Sequence, residues 1–253
     1  MKLFRGDSLP DSVTRTAPRD RGRTFADHFC GTGLMAKFAD NGMISLVRDQ
    51  DLVDLVLKHV GYNRWAPERA LAYHSPLLSF STMRDTAFRF SYRADDPDLV
   101  PCTLDEATHF VWELAIELPY CIDPGRYGFT YSADPCNALP FLREQVQRGL
   151  ELEAATGDLH MLANTLLQAA GAAHAAADRS LHYAELIDVA TFLSSHDLTH
   201  RDARLVRNAL NRASRDNEWL LFPKDPMPDG PGYSCRFVMN RHLKVSECLR
   251  LRK

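Results

Sequence analysis

Three short apolar runs in this chain each carry a residue able to do chemistry, and they come in a fixed order. Leu3-Phe4-Arg5-Gly6-Asp7 presents an arginine, the run from Ser75 to Thr82 presents Ser79 and Ser81, and the run from Asn217 to Pro223 starts from Glu218. A guanidinium is permanently charged and can meet phosphate oxygens two at a time. Gly6 beside it lets backbone approach a ligand with no side chain between them. A serine hydroxyl can bond that arginine or a sugar hydroxyl. A carboxylate can accept from a sugar and stabilise positive charge as it develops there.

In this order the segments resemble the Arg–Ser–Glu signature of NAD-dependent ADP-ribosyltransferases of the bacterial and phage-defence toxin type. The resemblance covers about residues 1–130 and 205–253. It implies an α+β fold, an ADP-ribosyltransferase-like split β-sheet core with a helical insertion. It further implies a single catalytic domain over residues 1–253, with the insertion at 139–200. NAD is then the substrate and no metal is needed. Arg5, Ser79 and Glu218 would be catalytic, and Arg5, Gly6, Ser79 and Ser81 would hold NAD. Asp216, Arg212 and Arg215 would meet the acceptor.

Two departures stand out. Phe80 lies between Ser79 and Ser81 where the family usually shows Ser-Thr-Ser, although Ala87 and Phe88 fall where its next helix carries Ala and an aromatic. Asp216 stands two residues before Glu218, where many protein-modifying members have Glu or Gln. Its side chain is one methylene shorter, which weighs against arginine-directed transfer.

The elements that would position these residues read as follows. Residues 2–5 form a short strand, followed by Arg/Asp/Pro-rich coil to about residue 24. Asp49 and Asp51 sit at helix N-cap positions ahead of Leu52, Val53, Leu55, Val56 and Val60 at helical spacing. Ser75–Ser81 reads as a strand and Met83–Tyr92 as a short helix. Residues 108–118 alternate, with Phe110, Trp112, Leu114, Ile116 and Leu118 on one side and His109, Glu113 and Glu117 between them, which predicts a half-buried strand. From Leu139 to about Ser195 the chain is rich in Ala, Leu, Glu and Gln, with Pro140 at a helix start, and reads as two or three helices. After Glu218 the β pattern returns at Trp219–Phe222, Tyr233–Met239 and His242–Leu251, with a Pro/Gly-rich turn at 223–232.

Bulk composition narrows the function classes. The chain has 253 residues, 45% of them hydrophobic and 25% charged, enough for a sizeable core. A net charge of -3 gives no whole-molecule attraction to nucleic acid or membrane, so any electrostatic targeting must be local. The six cysteines form no CxxC pair and read as reduced thiols. There is no apolar leader and no membrane-length run, so the expected location is cytoplasmic. No GxGxxG after a strand, GxxxxGK[ST] or GxSxG occurs. His196 and His200 are four apart but lack the glutamate of HExxH, and no metal site is expected.

Local charge is found just before Glu218. Arg201, Arg204, Arg207, Arg212 and Arg215 fall on one helical face and Leu205, Val206, Ala209, Leu210 and Ala213 on the other, at about 100° per residue. Such a stripe suits an acceptor with a phosphate backbone, RNA or DNA, over a protein side chain. Tyr62, Trp65 and Tyr73 offer stacking surfaces or core packing. The expected function is therefore mono-ADP-ribosylation of a macromolecule by an intracellular toxin or defence effector. An antitoxin or inhibitor protein is the expected partner, docking on the alanine-rich 139–195 stretch. Protein modification, NAD hydrolysis and a non-enzymatic nucleic-acid-binding module remain as alternatives.

Overall fold

A computed structural model describes residues 1–9, 34–35, 44–45, 49–61, 75–90, 98–103, 106–117, 119–132, 181–226, 232–234, 236–237 and 242–252. The strands are β1 (Lys2–Ser8), β2 (Leu34–Met35), β3 (Ile44–Ser45), β4 (Leu78–Ser81), β5 (Leu99–Pro101), β6 (His109–Ala115), β7 (Tyr120–Asp123), β8 (Arg126–Ser132), β9 (Leu181–Asp188), β10 (Glu218–Pro223), β11 (Asp225–Pro226), β12 (Gly232–Ser234), β13 (Arg236–Phe237) and β14 (Leu243–Leu251). The helices are α1 (Asp49–Gly61), α2 (Arg84–Phe90), α3 (Val189–Ser194) and α4 (Ala203–Asp216).

Nine of the strands form one sheet in the order β5-β14-β6-β1-β4-β10-β9-β8-β7. Every neighbouring pair in it is antiparallel. This corrects the expected α+β split core with a helical insertion: the described chain is a mostly β, open antiparallel sheet with few helices. The reason is visible in β9. Leu181–Asp188 lies where the alanine-rich composition predicts helix, yet it is a strand inside the sheet, paired to β8 and β10. Ala184 and Leu186 on one face and Glu185 and Ile187 on the other are all buried, which composition alone does not reveal. Most of the expected insertion, along with Tyr62, Trp65 and Tyr73, lies outside the described residues.

The helices cover one face. Apolar residues of α1 (Leu52, Val56, Leu57, Val60), α3 (Phe192, Leu193) and α4 (Ala209, Ala213) pack on Ile187, Leu220 and Phe222 of the sheet and on Leu77 just before β4. α4 starts where Asp202 accepts from the Arg204 and Leu205 amides at 2.8 and 3.0 Å. It stops at Asn217, whose left-handed φ of 42° lets the chain turn directly into β10. α2 covers the β1 side of the same sheet, with Ala87 packed on Val111 and Leu249 and with Phe4 against them.

β6 departs from the half-buried expectation, since all of its residues except Ala115 are buried. Val111 lies under α2, and Glu113 is kept ionised by Lys2 at 3.0 Å and Lys244 at 3.4 Å. Burial works to raise the Glu113 pKa, and the two lysines more than offset it, leaving it below the usual carboxylate range. The same solution recurs at Glu185, 2% exposed, which accepts from Arg126 at 2.6 and 3.2 Å, Lys224 at 2.6 Å and Tyr183 at 3.1 Å.

The β7–β8 turn is tied to α3 through Gly125, whose carbonyl accepts from the Asp188 amide at 2.8 Å. Gly125 has φ of 76°, and a Cβ there would stand 2.3 Å from the Phe192 amide nitrogen. Gly125→Ala therefore meets both a strained backbone and a main-chain clash, and is expected to cost at least about 2 kcal/mol. Urea unfolding should show a lower midpoint at unchanged slope. A midpoint equal to wild type would contradict this packing of the turn.

Candidate active site

Sheet order brings the three segments together. β4 lies between β1 and β10, so Arg5, Ser79 and Glu218 stand on three adjacent strands although they are far apart in sequence. Across β4 and β10, Ser81 is opposite Glu218 and Ser79 opposite Leu220. Directly opposed residues share a face, so Ser79, Ser81 and Glu218 all point to the side covered by α1 and α4.

Ser79 is the junction of the site. Its hydroxyl is on the same face as the Glu218 carboxylate and favours its ionised form. The Ser79 Oγ also lies 2.8 Å from Nε2 of His59, in the last turn of α1. On its main-chain side, the Ser79 carbonyl accepts from Nη1 of Arg5 at 3.0 Å. The sequence offered the serine hydroxyl either Arg5 or a sugar hydroxyl; Arg5 meets the Ser79 backbone carbonyl instead. The register explains it. β1 and β4 pair at Phe4 and Ser81, so alternation along β1 puts Arg5 beside Trp112, on the face opposite Phe4. The guanidinium reaches Ser79 across the seam between the strands, with its Nε held 3.3 Å from Asp7.

The remaining sequence-derived residues fall into place as follows. Gly6 pairs with Val111 on the interior side of the β1–β6 ladder. The Ser81 hydroxyl donates to the Asp216 carbonyl at 2.5 Å and accepts from the Met83 amide at 2.9 Å, which closes the turn from β4 into α2. Ser81 is 2% exposed, so its hydroxyl is committed to structure. Asp216 holds Arg215 through two bonds of 2.7 and 2.6 Å. Arg212 donates to the Val60 carbonyl at 3.0 Å and so ties α4 to the end of α1. His196 and His200 lie in the connection between α3 and α4, where His196 Nδ1 is 2.7 Å from the Phe192 carbonyl.

His59 is the residue that sequence reasoning missed. Nothing in its helix marks it, because its partner is twenty positions away on a strand. A histidine, a serine and a carboxylate in line invite comparison with a hydrolase triad, but the order of contacts is wrong. In that chemistry the carboxylate orients the histidine, whereas here the serine stands between the two.

Glu218 is a carboxylate under pressure. Its pKa is pushed up to about 7, chiefly by burial, with repulsion from Asp216 adding to it. The Ser79 hydroxyl, Arg212 and Arg215 pull the other way. At neutral pH the group is thus divided between acid and base forms, the condition in which a carboxyl can exchange a proton. Among the described residues no helix is long and apolar enough to cross a membrane. No family model, curated protein or solved structure matches the chain.

The raised pKa has a consequence for stability. A carboxyl whose folded pKa lies above the ordinary 4.5 stabilises the native state fully below 4.5 and loses that contribution as pH rises toward 7. Glu218→Gln mimics the neutral acid. It should melt near wild type at pH 4.5 and a few degrees higher at pH 8, the gap opening between those values. Thermal unfolding at the two pH values checks this; a gap that does not change with pH would mean that Glu218 ionises at its ordinary value.

Proposed function

We propose that this protein transfers ADP-ribose from NAD to a macromolecular acceptor, with Glu218 as the residue that acts on the ribose. The observation that carries the reading is the line from Ser79 to Glu218 on adjacent strands, with Arg5 bound to the Ser79 main chain. A mere chance likeness of three short segments gives no reason for them to meet on neighbouring strands.

Ser79 and Glu218 share one face of the sheet and Arg5 rises from the other, so an NAD held by all three would cross the β1–β4 seam, which the Arg5 guanidinium spans to the Ser79 carbonyl. Arg5 is partly exposed and uses two of its bonds on Asp7 and Ser79, which leaves further N–H donors for pyrophosphate oxygens. NAD supplies a ribose whose bond to nicotinamide is already activated by the positive charge of that ring. Glu218, held by the Ser79 hydroxyl, accepts from a ribose hydroxyl and stabilises the charge that grows as nicotinamide departs. Ionised Glu218 does this work, so the rate should climb with pH through about 7 and level above it.

The acceptor reading rests on α4. Asp216 is engaged by Arg215 and does not stand ready to grip an arginine side chain. Arg201 pairs with Asp54 at 2.7 Å and Arg212 with the α1 carbonyl, whereas Arg204 and Arg207 are exposed on the polar face. Exposed cations at the start of the helix that leads into Glu218 favour a phosphate backbone, RNA or DNA, over a protein side chain.

The test is transfer of label from adenine-labelled NAD into a cell lysate, with the product treated separately with RNase, DNase and protease. Label should depend on Glu218 and be removed by a nuclease, and Glu218→Ala should lower the rate by roughly 10²–10³-fold. Arg5→Ala should raise the NAD concentration needed. A near-wild-type rate for Glu218→Ala would end the proposal. Protease-sensitive label would transfer it to a protein acceptor, and free ADP-ribose with no label would make the protein an NAD glycohydrolase.

A further inference from the structure

A hydroxyl carries one proton, and an ionised carboxylate can only accept one. With Glu218 ionised, a Ser79 hydroxyl turned to the carboxylate spends its proton there, and any second polar contact of its oxygen must come from a donor. The group 2.8 Å away is Nε2 of His59. We propose that His59 is the positioning residue of this site: its Nε2–H donates to the Ser79 oxygen and commits the serine proton to the Glu218 carboxylate.

The structure holds His59 in place for this task. Arg212 anchors the end of α1 through the Val60 carbonyl, the residue after His59, at 3.0 Å. α1 and α4 also approach closely at Gly61, where a Cβ would fall 2.9 Å from the Leu205 carbonyl oxygen. The ring thus reaches β4 from a helix end pinned at two points. Donation from Nε2 fixes the neutral tautomer, with the other ring nitrogen bare of hydrogen.

The charged groups facing Glu218 come from α4 (Asp216, Arg212 and Arg215), and the neutral donor from β4 is Ser79. With the ring neutral, removing the His59 donor leaves the charges of Asp216, Arg212 and Arg215 unaltered and frees the hydroxyl rotor; His59→Gln removes the same titratable ring and so controls for any charge it carries. Part of the Ser79 bond to Glu218 is then lost, and with it one of the forces that hold the carboxyl pKa down. The bearing of this on NAD cleavage rests on the function proposed above; the hydrogen-bond assignment does not.

The experiment is a carbon NMR titration of full-length protein labelled at the glutamate carboxyl carbon, with Glu218→Gln identifying the resonance. His59→Leu and His59→Asn, neither of which presents a donor at the Nε2 position, should raise the Glu218 midpoint by about half to one unit. His59→Gln, whose amide nitrogen can take the Nε2 position, should keep it close to wild type. In a Ser79→Ala background His59→Leu should cause no further shift. An unmoved midpoint in both donor-free variants, or equal movement in His59→Gln, overturns the assignment. The acidic limb of NAD cleavage against pH should move with the midpoint, a displacement that simple loosening of α1 would not produce. A shifted midpoint in a protein that leaves NAD intact would refute the proposed function and uphold the role of His59.

Discussion

β4 is four residues long, and the arrangement of the described chain depends on it. It is hydrogen-bonded to β1 on one side and to β10 on the other, and so joins the β5-β14-β6-β1 half of the sheet to the β10-β9-β8-β7 half. A strand this short has little ladder to offer, and its contact with β1 is registered at one pair, Phe4 with Ser81. Other bonds reinforce the joint. Arg5 reaches the Ser79 carbonyl, Ser81 binds the Asp216 carbonyl, and the Thr82 amide donates to the Asn217 carbonyl at 3.3 Å. The residues that close the joint are therefore the same residues, or their neighbours, that form the candidate site. Structure and site are built from one set of contacts.

That coincidence explains the electrostatics. Elsewhere the sheet buries carboxylates only with full compensation: Glu185 has Arg126 and Lys224, and Glu113 has Lys2 and Lys244. Both are held ionised, below their ordinary pKa. Glu218 receives a hydroxyl and two arginines that act on it through charge, one of them already paired with Asp216. Its pKa goes the opposite way. Within one sheet, then, the same side-chain type is stabilised as an anion at two positions and left unsatisfied at a third. A half-buried charge kept short of partners costs stability, and the place where that cost is tolerated is the place to look for chemistry.

Much of this was legible in the sequence where the signal was local. The β1 segment, the helix after Asp49, the arginine-faced helix before Glu218 and the strand after it all follow from periodicity and caps. The adjacency of Arg5, Ser79 and Glu218 followed from the resemblance, not from periodicity. What failed was set at long range. β9 follows an alanine-rich run, and its own alternation of His182, Ala184 and Leu186 against Tyr183, Glu185 and Ile187 is masked by burial on both faces. With β9 read as helix, the two halves looked like a core interrupted by an insertion instead of one continuous sheet. His59 was missed for the same reason, since its meaning comes from a strand that its own helix does not contact in sequence.

The seam between β1 and β4 also bears on how Arg5 can serve. In a fully laddered strand pair the main-chain groups of both strands satisfy each other, and a side chain is free to address a ligand. Here the ladder is reduced to one registered pair, and the Arg5 guanidinium supplies a donor to the Ser79 carbonyl in its place. Arg5 is thus bound to the same residue whose hydroxyl serves Glu218. Any displacement of β1 relative to β4 is transmitted to Ser79 from its backbone side, as any displacement of α1 is transmitted through His59 from its side-chain side. Ser79 is the point at which both supports converge, which makes its geometry, more than that of the arginine or the glutamate alone, the quantity that the fold holds constant.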